Sequence, residues 1–326
     1  MKTLLKILLL LFVININACT ILNSEKDEPD SDDGNRNTPG LPPPELQSFP
    51  RWHPSKNKIL YYNHGIVKYD STTNNHQRNP QKAGLWVMDA NGENKTQLMQ
   101  GHGFYADWSP KGDSIVFEHG HQIYKAPFQG DTVLPSQIIQ LTSEGRNFFP
   151  SWSPNGQSII FDSNINSESG LYFIWNINSK GSKKRRIIYA PLEGEVRSAD
   201  WISNTRIVYA NFLQNVKSSE ISTNTINDNQ RNRITYNEKT DRYPRYSSSN
   251  NKIAFESNAQ VWVINADGSK AEQLTFGEAG RMPDWSPDGS RIVYIGPQLT
   301  IWMMNANGSD KEQLTFRREG SISNQQ

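Results

Sequence analysis

The stretch MPDWSPDGSRIVY, from Met282 to Tyr294, decides the fold because the chain repeats it with variations. Its SPDG segment, Ser286 to Gly289, is typical of a type I turn, since Pro fixes φ at the second position and Gly favours the fourth. Trp285 precedes the turn as a large apolar anchor, and a β-branched and aromatic run follows it, as in a strand. The phrase therefore predicts a strand, a tight turn and a second strand.

Five further copies of this phrase precede it, and their anchors are Trp52, Trp108, Trp152, Trp201 and Tyr246. Successive anchors lie 39 to 56 residues apart, near the ~40–50-residue period of propeller blades. Each copy is followed by an aromatic run, a turn and an end resembling Gln-Leu-Thr, as in AQVWVINADGSKAEQLT. We therefore predict an all-β, six-bladed β-propeller of four-stranded antiparallel blades, with strands A to D in each. Strand C of blade 4, around Ser219 to Asn224, has one apolar residue, and we expect the outer half of this blade to fray.

Composition excludes several classes of function. The 326 residues carry a formal net charge of +1, which gives no general attraction to nucleic acid. The basic run from Lys180 to Arg186 falls at a predicted turn of blade 3 and is interpreted as a solvated turn. Cys19 is the single cysteine, so no intrachain disulfide can form. The chain has neither the Gly-x-Ser-x-Gly elbow of a hydrolase nor a phosphate-binding loop after a strand.

The amino terminus has the pattern of an exported lipoprotein. Residues 1–18 contain two lysines and a short apolar core before Ala18, as in a secretory signal. We expect lipid on Cys19, and a disordered acidic and Pro-rich tether over residues 19–48. A plain signal or an uncleaved anchor is the alternative. The propeller is expected over residues 49–316, followed by a disordered tail over 317–326, and we expect a monomer.

The repeated Pro-x-Trp-Ser-Pro-Asp-Gly, the Asn-Ala-Asp-Gly-Ser turn and the Gln-Leu-Thr end together resemble the WD-like repeats of the TolB family over roughly residues 49–316. That resemblance implies a six-bladed periplasmic propeller that binds protein partners in the cell envelope. The α/β domain that precedes the propeller in TolB has no counterpart in residues 20–48, so TolB's transport role is not implied. Similar blades occur in peptidase propellers and in oligogalacturonate lyases, and fold alone does not specify function.

The predicted propeller has two unlike faces. A-to-B and C-to-D turns emerge on one, the turn face, and B-to-C and D-to-A loops on the other, the variable face, where binding is expected. Residues three and four positions before each anchor should form rings near the channel mouth on the variable face. From them we predict a partner-binding site built from Arg197, Arg242, Arg281, Phe104, Tyr105, Phe148 and Tyr243. Arginine suits carboxylate or phosphate recognition. The alternative is that each arginine pairs with a nearby acidic residue such as Glu195, Asp241 or Glu278.

The histidines suggest a second kind of site. All six lie between residues 53 and 121, and imidazoles gathered on one face can ligate a metal. We expect His119 and His121, two apart on an extended strand, to point the same way. No metal motif is completed, so no cofactor or metal is predicted; the alternative metal set is His102, His119 and His121.

These observations predict a non-enzymatic, lipid-anchored propeller that binds a protein or glycan partner, anionic if the arginines contact it, and no nucleic acid. The expected location is the bacterial cell envelope, with the lipid in the outer membrane and the propeller periplasmic or surface-exposed. The alternative is a metal-dependent lyase acting on acidic polysaccharide.

Overall fold

A computed structural model describes residues 47–70, 75–188, 194–213, 218–226 and 231–316. The signal, Cys19 and the tail over 317–326 lie outside the described residues, as does the tether up to residue 46. Within the described residues the chain forms six four-stranded antiparallel sheets, as the sequence predicts. Helical structure there is limited to two single 3₁₀ turns, η1 (Pro135–Gln137) and η2 (Pro297–Leu299). No helix in the described ranges has the length and apolar character needed to cross a bilayer.

Each blade uses four strands that are consecutive in the chain, apart from one inserted hairpin. Blade 1 consists of β1 (Gln47–Trp52), β2 (Lys58–Asn63), β5 (Gly84–Asp89) and β6 (Thr96–Gln100), with the hairpin β3 (Ile66–Asp70) and β4 (Asn75–Arg78) between β2 and β5. Blade 2 consists of β7 (Phe104–Trp108), β8 (Ser114–His119), β9 (Gln122–Pro127) and β10 (Ile139–Gln140). Blade 3 consists of β11 (Asn147–Trp152), β12 (Ser158–Ser163), β13 (Phe173–Asn178) and β14 (Arg185–Arg186).

The other three blades follow the same order. Blade 4 consists of β15 (Gly194–Ser203), β16 (Arg206–Leu213), β17 (Ser219–Thr225) and β18 (Arg231–Arg233). Blade 5 consists of β19 (Asp241–Ser247), β20 (Lys252–Ser257), β21 (Gln260–Asn265) and β22 (Glu272–Gln273). Blade 6 consists of β23 (Arg281–Trp285), β24 (Arg291–Ile295), β25 (Ile301–Asn305) and β26 (Glu312–Gln313).

The anchors hold neighbouring blades together. The five anchor tryptophans are buried, and Trp201 packs in one apolar cluster with Ile160 of blade 3 and Ile207 of its own blade. Its indole nitrogen Nε1 donates to the backbone oxygen of Ser151 in blade 3 over 3.1 Å. Trp108 and Trp285 donate in the same way to the preceding blade. Apolar burial and one indole hydrogen bond therefore fix each of these contacts.

Every strand A contains a bulge at the same place. In blade 1, Ser48 pairs with Tyr62 and Arg51 with Leu60, so two residues of β1 oppose one of β2. The first bulged residue has φ between 51 and 55° in all six blades, although none is glycine: Phe49, Tyr105, Phe149, Ser198, Tyr243 and Met282. Bulges redirect side chains, and here the repeated bulge produces a ring of side chains at one level of the channel.

The ring closes without a swapped strand. Thr315 Oγ1, just after β26, donates to Gln47 Oε1 at the start of β1 over 2.5 Å. The backbone N–H of Trp52 donates to Asp284 Oδ2 of blade 6 over 2.8 Å. Direct packing of β1 on blade 6 therefore takes the place of a shared strand.

The expectation that the outer half of blade 4 frays is wrong. β17 pairs with both β16 and β18, and its polar side chains Ser222, Thr223 and Asn224 are buried. Thr223 Oγ1 accepts a hydrogen bond from Arg206 Nη2 over 3.2 Å. Backbone pairing and polar side-chain contacts stabilise this strand in place of apolar burial.

The A-to-B turns close on glycine as predicted, and they differ in what surrounds the glycine. Gly112 and Gly156 have φ of 69° and 68°, so both replacements by Ala strain the backbone equally. An added Cβ would lie 2.1 Å from the His53 ring at Gly112, but 3.3 Å from Pro110 at Gly156. We expect Gly112→Ala to lower the free energy of unfolding by about 1–3 kcal/mol more than Gly156→Ala. Urea unfolding of the two variants checks this, and equal losses would contradict it.

Candidate functional site

The three predicted arginines have different environments. Arg197 is buried and donates to Glu195 from Nε over 2.9 Å and from Nη2 over 3.2 Å. Its guanidinium carbon lies 3.9 Å from the ring centre of Tyr172. Arg197 therefore has the acidic partner that the alternative interpretation named, and its charge is neutralised locally.

Arg242, the second residue of β19, and Arg281, the first residue of β23, are half-buried. Arg242 pairs across the sheet with Glu256, and its guanidinium carbon lies 5.8 Å from the ring centre of Phe212. The Nε atom of Arg242 is buried and has no hydrogen-bond partner among the described residues. Arg242 therefore differs from Arg197, whose guanidinium is paired with Glu195.

Two of the predicted aromatic residues close the channel. Tyr105 and Tyr243 pack with Phe49 and Phe149, with ring centres 4.0 Å apart for Tyr105–Phe149 and 5.6 Å for Phe49–Tyr243. We call these four rings the aromatic plug. Burial raises the pKa of Tyr243 to about 12. Their packing makes them a barrier across the channel, with little ring surface left for a partner.

Phe104 and Phe148 lie one position nearer the variable face. Phe104 stacks on Tyr62 at 3.7 Å between ring centres, and Phe148 contacts the Tyr105 ring edge-on at 6.0 Å. The described contacts thus join the four predicted aromatics into one connected group.

The histidines do not form the expected arrangement. His119 ends β8 and His121 lies in the tight turn before β9 with φ of 65°, so the two are not on one extended strand. The rings of His102 and His119 contact each other at a tilt of 40°, with their centres 3.8 Å apart, whereas the His121 ring centre lies 5.3 Å from that of Phe148. In the described ranges no group of three or more His, Cys, Asp or Glu residues could hold a metal ion.

A buried carboxylate accompanies His121. Glu118 Oε1 accepts the backbone N–H of His121, and His121 Nδ1 lies 3.8 Å from the same oxygen. Burial raises the pKa of Glu118 to about 7, although the His121 N–H partly opposes that rise. Glu118 can therefore change its protonation state near neutral pH.

Sequence reasoning missed a ring of charges in the middle of the channel. The residue directly before each anchor contributes to this charged ring: Arg51, Asp107, Ser151, Asp200, Arg245 and Asp284. Arg245 bonds three carboxylates, with distances of 2.8 Å to Asp284, 3.1 Å to Asp107 and 3.3 Å to Asp200. Burial opposes the charge of Arg245, but the three carboxylates outweigh it and raise its pKa.

The same carboxylates also bind backbone groups of the following blade. Asp107 accepts the N–H of Trp152, and Asp200 accepts the N–H of Tyr246. Aspartates thus occur in blades 2, 4 and 6 and bind blades 3, 5 and 1. The sequence contains the signal for this arrangement. In the aligned phrases FPRW, YADW, FPSW, SADW, YPRY and MPDW, Asp precedes the anchor in every second blade.

A cavity opens from the charged ring toward the turn face. Its volume is about 530 Å³, and all six anchors line it together with Ser-Pro turns such as Ser109-Pro110 and Ser286-Pro287. The charged ring forms its inner end through Asp107, Asp200, Arg245 and Asp284. Polar atoms therefore face this cavity although the sequence assigned only turns to that face.

Comparisons with known proteins agree with this architecture. Residues 53–149 match the family model of the dipeptidyl peptidase IV (DPP IV) N-terminal region. A putative TolB from Agrobacterium tumefaciens is similar in structure, with a TM-score of 0.59 and 20% identity over 68% of this chain and 84% of that one. The fold is that of a TolB-like β-propeller. TolB from Acinetobacter baumannii gives a TM-score of 0.56 and 16% identity over 78% of this chain and 75% of that one.

The TolB-like propeller also resembles parts of unrelated assemblies. A nidogen/laminin complex contains a similar structure, with a TM-score of 0.54 and 10% identity over 84% of this chain and 93% of that one. No curated protein matches this sequence. Identities this low establish a similar fold, and they do not establish a shared function.

Proposed function

We propose that this protein is a binding module of the bacterial cell envelope that holds an anionic segment of a partner protein on its variable face. The observation that carries this proposal is Arg242, whose buried Nε has no hydrogen-bond partner among the described residues. Arg242 forms no ion pair with the described residues, so its half-buried guanidinium can gain charge-assisted hydrogen bonds from an anionic ligand. Arg281 occupies the same register in the next blade, so the two side chains extend one surface.

Three further features support a protein partner. The aromatic plug closes the channel, so a partner at the variable face meets a closed surface and not an open channel. Arginine and aromatic side chains dominate binding energy at many protein interfaces. Propellers of this fold occur in TolB and in a nidogen/laminin complex. The metal-dependent lyase alternative has less support, because His102, His119 and His121 form no three-ligand group in the described structure.

Photo-crosslinking in the native envelope tests the binding face. A photoreactive residue at Glu278, exposed beside Arg281, is expected to capture one partner, and the same residue at Lys111 on the turn face is not. Replacing Arg242 and Arg281 by Gln should reduce that adduct by about tenfold or more, since each charge-assisted bond contributes ~1.5–3 kcal/mol. The urea midpoint should stay unchanged. An adduct from Lys111 alone would assign binding to the turn-face cavity instead.

We propose that lipid on Cys19 anchors the protein to the membrane. The pattern that supports this proposal is a secretory signal followed directly by cysteine. Two acyl chains anchor stably where one binds only marginally. Cells labelled with a fatty-acid analogue should incorporate it into the wild type and lose all label in Cys19→Ala. Equal labelling of both proteins would refute the anchor without affecting the proposed binding face.

A further inference from the structure

A groove between blades 4 and 5 has the features of a small-ligand site. Its volume is about 330 Å³, and its lining combines Tyr236 and Lys239 after blade 4 with Phe255, Trp262 and Ile264 of blade 5. Ligand sites of this size are usually apolar with a few polar groups that orient the ligand. The groove is separate from the charged ring and from Arg242.

One wall is a rigid, exposed aromatic ring. Tyr236 is 74% exposed, which is unusual for a large side chain in a folded domain. Its hydroxyl donates to the backbone oxygen of Arg233 over 2.9 Å, and the Arg233 guanidinium lies 4.8 Å from its ring centre. These two contacts hold the ring in place, so a ligand that stacks on it loses little side-chain entropy.

A second part of the lining consists of the Lys239 ammonium lying over the Trp262 indole. Lys239 Nζ lies 4.6 Å from the ring centre of Trp262, and the described structure contains no ion pair to Lys239. The polar neighbours Thr235 and Asn237 already donate to Glu220 and Asp241. The Lys239 ammonium is therefore the groove's charged group available for an anionic ligand.

The next blade repeats the aromatic wall without the charge. Phe276 follows Leu-Thr in blade 5 as Tyr236 follows Ile-Thr in blade 4, and it is 69% exposed. Five residues after Leu274 stands Ala279, whereas five residues after Ile234 stands Lys239. Repeat architecture accounts for the aromatic position, but it does not account for the lysine.

We propose that the groove between blades 4 and 5 binds a uronic-acid residue of an acidic glycan. The apolar face of the sugar ring stacks on Tyr236, and its carboxylate pairs with the Lys239 ammonium that lies over Trp262. A single sugar ring fits a volume of about 330 Å³, which lies at the lower end of the range of small-ligand sites. This glycan site is additional to the partner-binding face and does not depend on it.

Calorimetric titration of the full chain with D-glucuronate, D-glucose and benzoate tests the proposal. Glucuronate is expected to bind, and glucose about tenfold or more weakly, because loss of the carboxylate removes a charge-assisted bond. Lys239→Gln should weaken glucuronate binding by about the same factor, and Lys239→Arg should bind glucuronate like the wild type. Tyr236→Ser should also weaken binding.

Matched controls come from the same part of the chain. Lys270→Gln removes an exposed cation of blade 5, and Phe276→Ser removes the equivalent aromatic of the next groove; both should bind glucuronate like the wild type. If the urea midpoint of unfolding is unchanged in each variant, any loss of glucuronate binding results from the change in the groove and not from unfolding. No glucuronate binding by the wild type, binding of benzoate but not glucuronate, or equal losses in Lys239→Gln and Lys270→Gln would each overturn the proposal.

Discussion

Replacing Arg245 by Met is expected to lower the free energy of unfolding by about 3–5 kcal/mol, because removing one partner of a buried ion pair leaves uncompensated charge. Arg245 forms ion pairs with Asp107, Asp200 and Asp284, and its side chain is 15% exposed. Met matches the length of the side chain without its charge, so lost packing contributes little to the effect. Urea unfolding at pH 7 measures the loss.

The size of this loss should depend on pH in a known direction. Burial already raises the pKa of Asp200, against the opposing effect of Arg245. Without Arg245 the folded-state pKa rises further, so the folded variant takes up protons at a higher pH than the unfolded chain does. The difference in the free energy of unfolding between the variant and the wild type should therefore shrink as pH falls through that raised pKa.

Arg231→Met is the matched control, because Arg231 is exposed and donates to the neutral Asn211 over 3.0 Å. Exposed substitutions usually change stability by less than about 0.5 kcal/mol. A loss below about 1 kcal/mol for Arg245→Met, or a loss that is the same at pH 7 and pH 4, would show that the charged ring is not a stabilising centre.

Trp201→Ala should also lower the free energy of unfolding by about 3–5 kcal/mol, as removal of a buried aromatic side chain does. Trp201 packs against Ile160, Ile207 and Tyr209, and its Nε1 binds the Ser151 oxygen of the neighbouring blade. The cavity left by Ala would lie between two blades, where rigid sheets cannot collapse into it.

Trp201→Phe separates the two contributions in the same denaturation experiment. Phe keeps most of the apolar packing and loses the indole donor, so its cost should be nearer about 1–3 kcal/mol. Similar losses in Trp201→Ala and Trp201→Phe would mean that the hydrogen bond to Ser151, and not the packing, holds blades 3 and 4 together.

The sequence by itself determined the number of blades and the arrangement of strands. The Trp-Ser-Pro-x-Gly phrase carries its own turn chemistry and apolar anchor, and such local signals act wherever the phrase recurs. The positive φ of Gly112, Gly156 and Gly289 follows the same rule. Blade 4 is the exception, because buried polar side chains and pairing with the neighbouring strands stabilise β17, which has few apolar residues.

Only the tertiary structure decided how side chains of equal register are used. Arg197, Arg242 and Arg281 look equivalent in the alignment, yet Arg197 is neutralised by Glu195, whereas Arg242 keeps an unpaired Nε. The bulge in strand A turns Tyr105 and Tyr243 into the aromatic plug. Charge pairing and ring packing depend on contacts between blades, such as Arg245–Asp107, which are 138 residues apart, and Phe49–Tyr243. A repeat pattern carries no information about those distances, because each blade specifies its own strands and the closed ring alone brings six of them around one channel.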